Sequence, residues 1–500
     1  MNRTIKQLLC AGIFLGGQLS GLNYLAAQTP QEDYDSWKRQ AMGAYNRYRQ
    51  EANEDYQTFR KKANEEYAEF VRSAWASVGK HPAIPVPEEP KPPQPPAVVP
   101  DESPRPEAIP HEEVAPVPAP QPVPEVPMPT PAPAPSEKST KVAYYGTAVT
   151  VHLPQGELPT LEGLDGEELS KAWKMMSNGG CDVVLADCLK EKKNRRIGDW
   201  GYIKLLEKVS KSVVKERNGA VLLQQWLLVQ SGYHSRMAQS GKGVLQIWMP
   251  FDVLVYNLPY IELNETFYFL VTDNDQDDNN VTVLDNAFPG ENLSSLRAVG
   301  RPKLEYTACG QKTLSAKKYP TAKLRCEVNR NLIDYYNDYP KVAGSWDIYA
   351  GTSLSDEAKR MLYPKLQTHL QGKTELQKAE LVLNWVQTAF QYKTDEEQFG
   401  GERSLFADET LYYPYCDCED RSILLSILVR DLLGLDVVLL HFPGHLATAV
   451  KFKTDVEGDY LDLDDGRYIV CDPTYIGAPV GMAMPDCKKQ EVRVFLVPQK

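Results

Sequence analysis

Three features of this 500-residue sequence predict an α+β fold built from several units. An eleven-residue aromatic repeat occupies 34–77, a proline tract follows it, and the remaining chain alternates helical periods with short period-two strands. The length exceeds one ordinary domain. The expected organisation is a signal peptide at 1–27, a long amphipathic helix at 28–80 and a disordered Pro-rich linker at 81–136. A mixed α+β domain at 137–344 and a second α+β domain at 345–500 complete it.

The first segment has a basic start in Arg3 and Lys6, an apolar stretch from Leu8 to Leu15 and a small-residue cleavage site at Leu25-Ala-Ala27. That pattern predicts export to the periplasm, the cell surface or the extracellular space. Gly16, Gly17, Gln18 and Ser20 break the apolar stretch too early for a permanent span, and no later segment suits one. The net charge is −12, or −14 once Arg3 and Lys6 are removed, which argues against nucleic acid as the partner. Export permits disulfides among Cys181, Cys188, Cys309, Cys326, Cys416, Cys418, Cys471 and Cys487. Connectivity stays open on sequence alone.

The repeat begins at Tyr34, Tyr45, Tyr56 and Tyr67, each time with an aromatic three residues on and Ala four further. Eleven residues over three turns is close to the helical period, so an aromatic stripe runs straight along one face. Two readings stay open: a helix lying on another part of the protein, or a rod that self-associates or docks as a right-handed coiled coil. From Pro82 to Pro135 the chain holds 22 of its 38 prolines. Such a tract cannot donate ladder hydrogen bonds and favours an extended spacer.

In the middle region Val142–Tyr145 and Thr147–Leu153 read as strands, then Leu205–Val214 and Val221–Val229 as helices. Val244–Trp248, Tyr260–Leu263 and Thr266–Val271 alternate as strands do. The run Asp273–Asp278 begins like a calcium loop but lacks its glycine and final glutamate, so a solvated hairpin tip is expected. The helix, glycine, strand layout of Leu222–Arg236 is similar to that of Ser422–Leu440, so the middle region reads either as a degenerate copy of the last domain or as an unrelated α+β domain.

The last domain opens with helices at Ser355–Leu370 and Thr374–Phe390, followed by an irregular stretch to Cys416. Cys418 then starts a helix. Asp417 suits the N-cap, Asp420 suits the acidic half of a capping box, and Gly434 offers the stop. First-turn amides and a nearby imidazole favour a thiolate. Leu435–Phe442 and His445–Phe452 form a hairpin about Pro443-Gly444, so His445 heads a strand. Arg467–Cys471 is a third strand that ends at Asp472. A thiol, an imidazole and a carboxylate in that arrangement suit nucleophilic acyl transfer. Tyr412, Tyr413 or a backbone amide could supply a second oxyanion donor. Cys416-x-Cys418 with His445 would make three metal ligands, but the spacing and the lack of a second compact pair argue against zinc. No cofactor and no metal are expected.

The ordered set Cys418-Glu-Asp420, His445 and Asp472-Pro-Thr474, with Trp385 in the preceding helix and Asp408-Glu-Thr-Leu411 before the cysteine, resembles the transglutaminase-like superfamily over about the last 150 residues. The resemblance implies a papain-like fold, with Cys418 as nucleophile, His445 as general base and acid, and Asp472 as its orienter. The implied activity is cysteine-dependent acyl transfer on peptide or side-chain amides, by hydrolysis or transamidation, with a protein, a peptide or cell-wall peptide as substrate. Two departures stand out. Cys416 replaces the glycine usual two residues before the nucleophile, where it could shape access or cap Cys418 oxidatively. Ala447 replaces an aromatic after the histidine. The competing expectation is a non-catalytic cell-envelope scaffold that keeps the fold.

Overall fold

The computed structural model describes residues 30–74, 80–82, 106–111, 114, 138–154, 156, 158, 160–273, 280–284, 288, 292–297, 301–342 and 344–497. The signal segment, most of the proline tract and the acidic run after Asp273 lie outside the described residues. The chain divides into two units, residues 1–56 and 57–500. Helix α1, Pro30–Ala74, begins in the first and ends in the second. In the first unit Tyr45 and Tyr48 are 57 % and 68 % exposed.

In the second unit the aromatic stripe is covered. Ala63, Tyr67, Ala68 and Val71 are buried, and the Tyr67 ring lies 4.7 Å from Trp173 and 5.7 Å from Phe288. The polar edge is matched as well. Buried Arg60 donates to Asp182 at 2.7 Å and to Gln230, while Asn64 accepts from Trp173 Nε1 and Gln230, both at 3.0 Å. Residues 57–74 are thus a docked helix, the first of the two readings. Strand β1, Lys80–Pro82, follows.

The middle region starts with a hairpin of β2, Ser139–Tyr144, and β3, Thr147–His152. Its two turn residues, Tyr145 and Gly146, both have positive φ, as the twist of a tight hairpin demands. Four helices follow: α2 (Gly166–Met175), α3 (Asp182–Arg195), α4 (Asp199–Val213) and α5 (Arg217–Gln230). Then come β4 (Arg236–Ser240), β5 (Leu245–Met249), β6 (Tyr260–Leu263), β7 (Thr266–Leu270) and β8 (Asn280–Val283). A hairpin of β9, Ala308–Ser315, and β10, Lys323–Asn329, leads into α6, Arg330–Asn337.

The last region contains α7 (Trp346–Gly351), α8 (Asp356–Leu370), α9 (Glu375–Ala389), β11 (Gln391–Tyr392), α10 (Asp395–Phe399) and α11 (Ala407–Tyr412). After β12, Tyr415–Cys416, comes α12, Cys418–Leu428. The closing strands are β13 (Asp436–Phe442), β14 (His445–Lys451), β15 (Tyr460–Leu463), β16 (Gly466–Cys471) and β17 (Arg493–Leu496). The stretch expected to be irregular before Cys416 therefore holds two short helices. Neither is long enough to display a helical period.

The two main sheets share one topology. The first runs β1-β8-β4-β5-β7-β6 and the second β17-β13-β14-β16-β15. With β1 set aside, β4 to β8 correspond in order to β13 to β17, and every pairing in both is antiparallel. A buried helix precedes each sheet, α5 in one and α12 in the other. Of the two readings of the middle region, the repeated copy matches this architecture.

These two copies are not separate bodies. Tyr336 of α6 stacks on Phe406 at 4.1 Å, and the hairpin β9–β10 packs against α8 and α11. The boundary expected at 344/345 is thus bridged by a continuous core. Residues 106–111, inside the segment expected to be a disordered linker, are also docked. Ile109 is 2 % exposed and donates to Tyr460 O at 2.9 Å, while Val492 N donates to Pro110 O at 3.1 Å. Prolines at 106 and 110 flank the donors that this edge needs, so the tract can pair where Glu107 and Ile109 interrupt it. Among the described residues no helix is long and apolar enough to cross a membrane.

Candidate active site

Helix α12 is enclosed on every side, and all its residues from Cys418 to Leu428 are buried. Its polar side chains must therefore find partners inside the protein. Ser422 Oγ donates to Leu446 O at 2.9 Å. Arg421, 1 % exposed, donates to Gln387 O and Phe390 O at 3.3 and 3.0 Å, satisfying carbonyls left open at the end of α9. Its Nε also donates to the Cys416 sulfur at 3.4 Å. Asp420 accepts from the Leu405 and Asp417 backbone N–H groups at 2.8 and 3.3 Å. The expected capping by Asp420 is present. Asp417 differs, because neither of its carboxylate oxygens meets a hydrogen-bond donor.

The hairpin β13–β14 turns at Pro443-Gly444, where Gly444 has φ +74°. Phe442 and His445 are directly paired across it. His445 Nε2 lies 2.9 Å from Asp472 Oδ2. Asp472 Oδ1 accepts from the Thr474 and Tyr475 N–H groups at 2.8 and 3.1 Å, a local turn that fixes the carboxylate. Gln387 of α9 secures this loop, its Nε2 within 3.1 Å of the Asp472, Tyr475 and Ala478 carbonyls. With Nε2 serving Asp472, Nδ1 of His445 is left for another partner.

Cys418 is brought to the same strand. Its sulfur interacts with the backbone N–H of Leu446, the residue after His445. No hydrogen bond joins Cys418 to His445, however: the thiol donates to Glu419 Oε2 at 3.3 Å. Cys418, His445 and Asp472 are 2 %, 7 % and 2 % exposed, so the site is closed to solvent. The thiol is also held well above its ordinary range, contrary to the expected lowering. Burial is the main cause, followed by Glu419 and Asp417, and only the Leu446 N–H opposes them.

Acidity dominates this neighbourhood. Asp395, at the start of α10, joins Asp417 and Asp420, and single carboxylate oxygens of all three lie within 4.8 Å of one another. Asp395, Glu402 and Glu419 form a second such group. Burial pushes the Asp395 carboxyl up to about 10, helped by Asp420 and Glu419. Burial likewise holds Asp417 and Asp420 far above the carboxylate range. The sequence reading took Asp417 and Asp420 as caps and missed Asp395, because its approach depends on how the chain folds back.

Other expectations are corrected. All eight cysteines among the described residues are free, so Cys416 does not bridge to Cys418. Cys416 sits beside the Arg421 guanidinium, a poor surrounding for a metal ligand. The hydroxyls of Tyr412 and Tyr413 meet Arg330 and Asn337 rather than the thiol. A different phenol is close by: the Tyr392 hydroxyl is buried without a partner and feels the charges of Cys418, Asp417 and Glu419.

The first copy lacks this chemistry. Leu245 heads β5 as His445 heads β14, and its N–H is held by Asn218 at 3.0 Å from the start of α5. A cavity of about 200 Å³, lined by Lys211, Arg217, Gln224, Leu245 and Thr272, opens at this end of the first sheet. Comparison of the chain with family models, with curated proteins and with solved structures found no match.

Proposed function

We propose that residues 345–500 form a cysteine-dependent acyl-transfer site that acts on peptide or side-chain amides. The observation that carries this reading is the buried His445–Asp472 pair at 2.9 Å, one residue from the Leu446 N–H that meets Cys418. His445 Nδ1 takes the thiol proton, and the thiolate adds to the amide carbonyl. The imidazolium, steadied by Asp472, then protonates the leaving amine. The resulting thioester passes to water or to an amine. The unpartnered hydroxyl of Tyr392 would suit a donor to the developing oxyanion. The resemblance to the transglutaminase-like superfamily and its papain-like fold supports the same roles. A protein or peptide substrate, including cell-wall peptide, follows from the exported location that residues 1–27 suggest.

One observation favours a second reading, a non-catalytic scaffold of the cell envelope. Cys418 is closed in and its proton is committed to Glu419. Alkylation with iodoacetamide near neutral pH, read by peptide mass, separates the two. The enzyme reading expects Cys418 to react faster than a free cysteine and to lose that advantage in His445→Ala. A Cys418 that is slow in both proteins sinks it. Glutamine-containing peptides incubated with and without an amine then distinguish hydrolysis from transamidation.

A further inference from the structure

The start of α12 gathers more buried carboxyl groups than the protein around it provides partners for. Asp395, Asp417, Glu419 and Asp420 are 1 %, 0 %, 6 % and 0 % exposed. Among the described residues none of the four makes an ion pair with Lys, Arg or His, although cations stand nearby. Arg403 is paired to Glu409, and Arg421 is spent on carbonyls and Cys416. Asp420 and Asp395 find partial relief in backbone N–H groups from Leu405, Asp417 and Arg403. Asp417 finds none: both of its oxygens are buried and meet no N–H or O–H donor, and one of them lies within 4.8 Å of a carboxylate oxygen of Asp395 and of Asp420. Its one side-chain neighbour for a hydrogen bond is the Glu419 carboxyl, which can serve only by sharing a proton. Buried carboxylates persist when they are paired, protonated or bound to a metal.

We infer that Asp395, Asp417 and Asp420, with Glu419 at their edge, form a binding site for a hard divalent cation of the Ca²⁺ or Mg²⁺ class. The donors of the central trio are all carboxylate oxygens, which suit those ions rather than zinc or copper. The ligands come from the start of α10 and the start of α12, segments 22 residues apart in sequence, so the ion would tie two elements that otherwise repel. Asp417 supplies oxygens that meet no N–H or O–H donor, with only the Glu419 carboxyl beside them. The alternative is a cluster that shares protons and binds no metal.

The test uses the full chain, freed of metal by a chelator and dialysed. Titration calorimetry with CaCl₂, MgCl₂ and MnCl₂ is paired with thermal unfolding in the same solutions. One saturable site per chain is expected, together with a rise of a few degrees in Tm at a hundredfold excess over Kd. Asp417→Asn and Asp395→Asn remove the saturable heat and the cation-dependent rise. In chelator both variants melt above the wild type, which also shows that they fold. The site is overturned if the wild type binds none of the three ions up to about 10 mM, tenfold above the weakest extracellular calcium modules. Binding that survives Asp417→Asn overturns it equally. Variants that melt below a cation-indifferent wild type identify the proton-sharing cluster instead.

Discussion

Asp408→Asn is predicted to stabilise the protein at neutral pH and to leave it unchanged in acid. Asp408 is 1 % exposed, in the first turn of α11. Its Oδ2 accepts the Ser355 N–H at 2.9 Å, just ahead of α8, while Oδ1 meets no donor. Burial outweighs the hydrogen bonding from Ser355 and pushes the carboxyl from 3.8 up to about 6. The folded state therefore keeps a proton that the unfolded chain releases between about pH 4 and pH 6. The contribution is full below the unfolded value and is lost as pH rises through the folded one. About two units at roughly 1.4 kcal/mol each give about 3 kcal/mol. Asparagine keeps the acceptor and never ionises. Urea unfolding at pH 4 and pH 7.5, followed by tryptophan fluorescence, measures the effect. Comparing variant with wild type at each pH cancels other titrating groups, including Glu409, which burial pushes up to about 7. The midpoints coincide at pH 4 and separate by roughly 1 M at pH 7.5, the variant being the more stable. Equal separation at both pH values, or a weaker variant at pH 7.5, refutes the argument.

Two further outcomes follow from packing. Tyr67→Ala removes a ring held between Trp173 and Phe288 and costs about 3–4 kcal/mol in thermal unfolding, whereas Tyr45→Ala, at an exposed turn of the same repeat, changes stability by less than about 0.5 kcal/mol. Equal effects at the two positions would contradict the docking of residues 57–74. Ile109→Asp places a charge where the proline tract meets the last sheet and exposes residues 106–111 to limited proteolysis, so a cleavage pattern identical to the wild type would show that the contact does not protect the segment.

How far the fold was legible depended on the length scale of each signal. Thr374–Phe390 and Ser355–Leu370 were found within a residue or so as α9 and α8, because a buried face repeats over four turns and a Thr or Ser cap marks the start. The strand assignments around His445 matched β13, β14 and β16 for the same kind of reason: period-two alternation is local, and a glycine with positive φ closes the hairpin. Helices α4 and α5 were recognised but begin six and four residues before the expected starts at Leu205 and Val221. Their first turns carry Asp199 and Asn218, polar residues whose partners lie elsewhere in the fold.

The site divides along the same line. The order Cys418, His445, Asp472 was visible because one residue starts a helix, one starts a strand and one ends a strand. The state of the thiol was not visible. A helix N-terminus lowers a thiol's pKa only while its positive end outweighs the local charge. Here the residues that flank the cysteine, Asp417 and Glu419, turn inward with it, and Asp395 arrives from another helix. A capping pattern read from sequence assumes that carboxylates face backbone amides or water. At Asp417 neither holds, and that failure of a local rule sets the chemistry at Cys418. A proton shared with Glu419, or a bound cation, would neutralise Asp417 at the turn where α12 begins. The acidity around the thiol is therefore set by the same turn that starts the helix carrying it.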